Sequence, residues 1–173
     1  MELPGTGYLY TIATLSITYA GFAAIIVIFR QIIGGGVSSY DVFVIRSILM
    51  RSFIVAFSAM LPPALALFDL PQSVIWRISS LFAALLLGLF NLTFPARRRA
   101  ATHLPIHKWA LITIGSQTLI TIFLLMMAFG IFVEPAAGPF VISITASLLV
   151  AAIAYMVQLE MILRGHVEKK KRK

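Results

Sequence analysis

Five long apolar stretches cover most of the chain and decide what it can fold into. In lipid every backbone polar group needs a partner inside the protein, so a spanning segment of about 20 apolar residues forms a helix. The predicted spans are residues 8–29, 39–68, 73–94, 105–133 and 139–163. We therefore predict an all-α fold. One polytopic transmembrane domain with five membrane-spanning helices covers residues 1–173, and residues 164–173 form a basic cytoplasmic tail.

Composition supports a membrane protein and argues against other classes. Apolar residues make up 60% of the chain and charged residues 12%, whereas soluble domains have roughly 45–50% and about 25%. These values argue against a soluble globular protein, a disordered chain and a coiled coil. The absence of cysteine excludes disulfides, thiol nucleophiles and thiolate metal sites.

Basic residues are distributed unevenly between the two sides of the predicted bundle. Thirteen of the 14 Lys and Arg residues fall on the side that holds the C-terminus, and only Arg77 falls on the other. Positive charge marks the cytoplasmic side, so we predict an N-out, C-in orientation. The charges of the tail are predicted to contact anionic lipid headgroups. They are Lys169, Lys170, Lys171, Arg172 and Lys173.

Two consecutive prolines interrupt the second span, at Pro62 and Pro63. Each lacks a backbone donor and clashes with the preceding turn, so the helix is expected either to end near Leu61 or to kink there. Two interpretations follow. The prolines are a simple helix terminator, or they form a hinge in a broken helix that lines a cavity.

The second span also contains two arginines, Arg46 and Arg51. A charge inside the membrane costs from about 3 to more than 10 kcal/mol unless it reaches the interface or a partner. In one interpretation both side chains extend to cytoplasmic phosphates. In the other, Arg51 faces the bundle interior and pairs with Glu160, the only acid inside a predicted span. Glu160 also has a local partner available, Arg164, one turn further along.

Polar and small residues indicate how the spans contact one another. Gln117 and Gln158 either line a pathway or bond two helices together, as intramembrane amides usually do, and Asn91 is interpreted as a helix-bonding residue too. Small residues four positions apart allow close approach of backbones and predict tight contacts, within the chain or between protomers. They are Ala20 and Ala24 in the first span, and Ser143, Ser147 and Ala151 in the fifth.

Catalytic and cofactor sites are not indicated. The few acids do not fall within one predicted site, as acid–base catalysis by paired carboxylates would need. His103 and His107 have a spacing that can bind metal, but Pro105 stands between them and no acid or cysteine lies nearby. We expect no enzyme activity, no metal, no cofactor and no nucleic-acid partner.

Two functions are expected for such a bundle. The segment 21–30, GFAAIIVIFR, resembles a segment of small bacterial inner-membrane proteins, which implies the bacterial cytoplasmic membrane. Five helices enclose little interior, so an oligomeric channel or permease would need several protomers, and its arginines would favour a small anionic solute. Alternatively, the chain is a structural or accessory subunit of a larger membrane complex. The expected partners are anionic lipids and either further copies of the chain or another membrane subunit.

Overall fold

The polypeptide folds into five long helices. A computed structural model describes residues 3–32, 39–102, 108–131 and 134–171, and this part of the chain contains no strand. The helices are α1 (Thr6–Ile32), α2 (Ser39–Ala66), α3 (Gln72–Ala101), α4 (Lys108–Phe129) and α5 (Ala137–Lys171). Each is long and apolar enough to cross a membrane. The all-α class and the five membrane-spanning helices are therefore confirmed.

Helix α2 does not end at the proline pair. It continues through Pro62 and Pro63 to Ala66, so of the two predicted outcomes the helix end near Leu61 is not observed, and the kink remains a prediction. An interior proline costs about 3 kcal/mol or more in a helix, and here both rings are buried against the bundle. Packing of the rings therefore supports the last turn of α2. The hinge remains a prediction.

Helix α3 runs past the predicted end of its span at Phe94. It continues through Pro95 to Ala101, so the arginine run that follows Pro95 is helical rather than part of a loop. Arginine is a good helix former. In addition, Arg97 Nη2 donates a hydrogen bond to the Phe90 carbonyl, 2.7 Å away in the same helix.

Helix α4 ends earlier than the apolar pattern predicts. Gly130 has φ +68°, its N–H bonds to the Met127 carbonyl, and the Ile131 N–H bonds to the Met126 carbonyl at 2.8 Å. These bonds form a Schellman motif, which requires the left-handed conformation that glycine adopts without strain. The helix therefore ends at Phe129, although the predicted span continued to residue 133. The predicted start at Pro105 lies outside the described residues.

The large apolar core fills one half of the bundle, which we call the packed half. Consecutive helices pack together and α2 also contacts α5. Because neighbours are antiparallel, this half combines the starts of α1, α3 and α5 with the ends of α2 and α4. At its centre the rings of Trp76 and Phe140 lie 5.6 Å apart. The packed half consists of Leu3, Leu9, Ile12, Ala13, Val55, Ala56, Ala59, Ile75, Trp76, Ala83, Ala84, Leu87, Leu124, Met127, Phe140 and Ile144.

The outer surface of the bundle is apolar as well. Large aliphatic side chains such as Leu89, Leu119 and Ile142 are more than half exposed. In water an apolar surface of this extent would drive aggregation or association, whereas lipid chains solvate it as well as other side chains do. The surface thus agrees with a bundle that is embedded in a membrane.

Candidate functional site

The other half of the bundle contains a cavity of about 380 Å³ between α2, α3, α4 and α5. Each helix contributes residues at helical spacing, such as Val44, Ser47 and Arg51 on α2, so that one stripe of each helix faces the same space. Apolar and aromatic side chains form most of the wall. The lining residues are Tyr40, Phe43, Val44, Ser47, Ile48, Arg51, Phe90, Asn91, Phe94, Arg98, Trp109, Ala110, Thr113, Ile114, Ala151, Ala154 and Val157.

Arg51 is the buried charge of this cavity. Its side chain is only 7% exposed, so it lies in the bundle interior rather than extending to the lipid surface. Its Nε has no hydrogen-bond partner among the described residues. The Glu160 side chain lies outside the described residues, and the predicted Arg51–Glu160 pair remains a prediction.

Arg46 takes a different position from Arg51. Its side chain is exposed and is not part of the cavity wall. Five residues of an α-helix correspond to a rotation of about 140° at 100° per residue. The two arginines therefore point in different directions, and only Arg51 contributes to the candidate site.

The Phe90 ring lies between two guanidinium groups. The guanidinium carbon of Arg51 is 5.9 Å from the ring centroid, and that of Arg97 is 4.2 Å from it. Both distances allow cation–π attraction, which is worth about 0.5–2 kcal/mol depending on desolvation. Phe90 thus holds Arg97 beside the cavity and partly compensates the burial of Arg51.

Two further polar side chains on the cavity wall lack partners among the described residues. They are Ser47, through its Oγ, and Asn91, through its Nδ2. Close to Asn91, Pro95 removes the N–H that would bond to the Asn91 carbonyl in a regular helix. Buried polar groups without partners are rare in folded proteins and call for an explanation. Here they lie on the same cavity wall as Arg51.

Tyr19 connects α1 to the wall of the cavity. Its hydroxyl donates a 2.9 Å hydrogen bond to the Ala151 carbonyl of α5, and its ring meets that of Tyr155 edge-on at 5.4 Å. The Tyr155 hydroxyl has no partner in the described part of the chain. Helix α1 therefore stays outside the cavity but fixes one of the helices that form it.

Gln117 joins two helices and does not line the cavity. Its Nε2 donates to the Ser147 carbonyl, and its Oε1 accepts a hydrogen bond from the Ser147 Oγ, each at 3.1 Å. Both residues are fully buried. The structure thus places Gln117 in a helix–helix contact away from this cavity wall, and its place in a pathway remains a prediction. The side chain of Gln158 lies outside the described residues.

The predicted small-residue positions lie at helix contacts within the chain. Ala20, Ser143, Ser147 and Ala151 are buried, and Ala24 is half-buried. Ser147 bonds to α4, and the Ala151 carbonyl bonds to α1. The Ser143 hydroxyl bonds to the Pro139 carbonyl of its own helix, as hydroxyls in membrane helices commonly do. The headgroup-binding side chains of the tail lie outside the described residues, and that prediction is untested.

Sequence reasoning missed most of the cavity wall. Asn91 was expected to bond helices together, and Arg98 was counted only among the basic residues of the cytoplasmic side. One signal could have assigned part of the wall to a single helix face. It is the spacing of three and four residues between Asn91, Phe94 and Arg98. The pattern does not show which face of an apolar helix points inward.

The described residues contain no group of three or more His, Cys, Asp or Glu side chains that could hold a metal ion, and His103 and His107 lie outside them. Compared with protein-family models, curated proteins and solved structures, the chain gives no significant match.

Proposed function

We propose that this protein binds a small anionic solute at Arg51 and moves it across a bacterial cytoplasmic membrane as a channel or permease. The observation that carries the proposal is a buried arginine, with an unpartnered nitrogen, on the wall of a cavity between membrane helices. An ionisable residue inside a membrane protein is costly, and such residues mark ion and substrate pathways.

The charges around the cavity favour anions. Arg51 and Arg98 line it and Arg97 adjoins it through Phe90, whereas no acidic side chain belongs to the described wall. Cationic side chains in a region of low dielectric raise the local concentration of anions and select against cations. A bound anion would also supply the hydrogen-bond acceptor that Arg51 Nε lacks among the described residues.

The cavity lies within one chain, so binding needs no second copy. A continuous pathway across the membrane is expected to need more helices than five. We therefore expect the transporting form to be a homo-oligomer.

Anion flux into liposomes tests the proposal. The purified protein is reconstituted into vesicles of uncharged lipid, and the uptake of small anions is compared for wild type, Arg51→Gln and Arg77→Gln. Arg77 is an exposed arginine of α3 near the packed half, which makes it a matched control. We expect Arg51→Gln to lower the flux by about tenfold or more, and Arg77→Gln to leave it unchanged.

Two results would contradict the proposal. One is wild-type flux no greater than that of protein-free vesicles. The other is equal flux from wild type and a correctly folded Arg51→Gln protein. If the protein lacks flux and leaves its native membrane in a stoichiometric complex with a larger protein, the accessory-subunit hypothesis replaces transport.

The orientation can be tested in the same host. Because the chain has no cysteine, Leu67→Cys and Arg99→Cys each introduce a single thiol at an exposed position. With the N-terminus outside, a membrane-impermeant maleimide labels Leu67→Cys in intact cells and labels Arg99→Cys only after permeabilisation. The reverse pattern would show the opposite orientation and would place the Arg51 cavity near the outer surface.

A further inference from the structure

We infer that the ligand of the cavity is an amphiphilic carboxylate, whose acid group binds at Arg51 and Asn91 and whose apolar body lies against the aromatic wall. This inference rests on the proposed function, because it specifies the class of anion that the same site takes. It follows from where the polar groups lie, from what the rest of the wall consists of, and from the volume of the cavity.

The polar groups are concentrated between α2 and α3. Ser47 and Arg51 are four residues apart and therefore share one face of α2. Asn91 lines the same cavity from α3. On the cavity wall the atoms without a partner among the described residues are Ser47 Oγ, Arg51 Nε and Asn91 Nδ2, and each of these groups can donate a hydrogen bond. A carboxylate carries about four acceptor sites and a negative charge, so it matches this set of donors.

The rest of the wall offers little to a hydrated inorganic ion. It consists mainly of apolar side chains, and on it the rings of Phe43 and Phe94 lie 5.7 Å apart. An inorganic anion would lose its hydration shell there without enough replacement hydrogen bonds. Arg98 is also on the wall and adds to the positive potential that attracts the acid group. An acid with one charge and an apolar body satisfies both parts of the wall.

The volume limits the size of that body. At about 380 Å³ the cavity is at the small end of the range of about 300–1,000 Å³ for small-molecule sites. A short acyl chain or a single aromatic ring suits this volume better than a phospholipid with two acyl chains. We therefore assign the ligand to free monocarboxylates rather than to membrane lipids.

Tryptophan fluorescence provides a direct readout of binding. The chain has two tryptophans: Trp109 on the cavity wall and Trp76, buried in the packed half. In the full-length Trp76→Phe protein, Trp109 is the only tryptophan. This protein is placed in nanodiscs of zwitterionic lipid and titrated with octanoate, with octanol as the uncharged analogue, and with chloride and sulfate.

We expect octanoate to cause a saturable change in Trp109 emission, and octanol and the inorganic ions to cause a much weaker one. Two substitutions in the same background test the contacts. Arg51→Gln removes the cation, and Asn91→Asp places a negative charge beside the carboxylate at almost constant size. Each is expected to raise the Kd for octanoate by about tenfold or more. Because the two substitutions change different side chains, one variant still tests the site if the other misfolds.

The possible failures are distinguishable. If chloride or sulfate binds saturably in a way that depends on Arg51, and octanoate does not bind, this inference is wrong. The proposed function would still be supported. A third outcome is an Arg51-dependent change in Trp109 emission in nanodiscs that contain anionic phospholipid, with no response to octanoate. This result would assign the site to a lipid headgroup and would also overturn the inference. If no ligand produces an Arg51-dependent change, both the inference and the proposed function are wrong.

Discussion

The contact between Gln117 and Ser147 allows the stability of the bundle to be tested with a double-mutant cycle. The two residues exchange two hydrogen bonds of 3.1 Å between α4 and α5. Only the bond from the Ser147 hydroxyl to Gln117 Oε1 is lost in Ser147→Ala, because the other bond is accepted by the Ser147 backbone. Gln117→Leu removes both bonds and replaces the amide by an apolar side chain.

The magnitude follows from these contacts. Hydrogen bonds between membrane helices average about 0.6 kcal/mol, with a maximum of about 1.7. Ser147→Ala also leaves a buried carbonyl oxygen without that donor, which costs about 1–3 kcal/mol in soluble proteins. We expect Ser147→Ala to lower the free energy of unfolding by about 1 kcal/mol in the wild type. With leucine at position 117 the same change is expected to have almost no effect.

The free energies can be measured by unfolding the four proteins reversibly in mixed micelles with increasing SDS. Ser143→Ala is the matched control. Ser143 lies one turn earlier on the same helix and bonds only to its own helix, at the Pro139 carbonyl, so it should show no coupling to Gln117→Leu. A coupling energy of zero for Ser147 and Gln117, or an equal coupling for Ser143, would refute the assigned contact.

Two further predictions concern the glycine cap and the tyrosine bond. Gly130→Ala puts a side chain at φ +68° and should destabilise the protein by about 1–2 kcal/mol. Gly115→Ala is the control, because a methyl group at this helical position would meet nothing within 4 Å. It should leave the thermal unfolding midpoint in detergent unchanged or raise it. An equal loss of stability in both variants would contradict the Schellman cap. Tyr19→Phe removes the bond to α5 and should cost about 1 kcal/mol. Tyr155→Phe is the control, because it removes a hydroxyl without a described partner and should leave the free energy of unfolding unchanged. Equal losses of unfolding free energy in SDS for the two variants would argue against the Tyr19 bond.

The number and approximate limits of the helices were predictable because lipid imposes a simple rule. A segment that cannot bond to water must satisfy its own backbone, and the apolar stretches show where this happens. The ends of the helices were less predictable. Gly130 stops α4 although the apolar stretch continues to residue 133, and α3 continues through Pro95 although proline normally disrupts a helix.

The candidate site was only partly predictable, because helices that are apolar on all sides carry no periodic signal for the face that points inward. From the sequence, an interior position for Arg51 was one of two alternatives. The sequence did not decide between them, since burial of Arg51 and exposure of Arg46 depend on the neighbouring helices. Asn91 and Trp109 gave no sign that they share a cavity, because the contact between α3 and α4 exists only in the folded bundle.

The hydrogen bond from Tyr19 to Ala151 has a consequence for the order of assembly during synthesis. It joins residues 132 positions apart, and the ribosome delivers α5 to the membrane after the other four helices. Until α5 arrives, α1 has no partner for this bond and the cavity lacks the wall formed by Ala151 and Ala154. The nascent chain thus completes the cavity only when α5 inserts. A truncated chain that lacks α5 would leave Arg51 beside an open flank of the bundle.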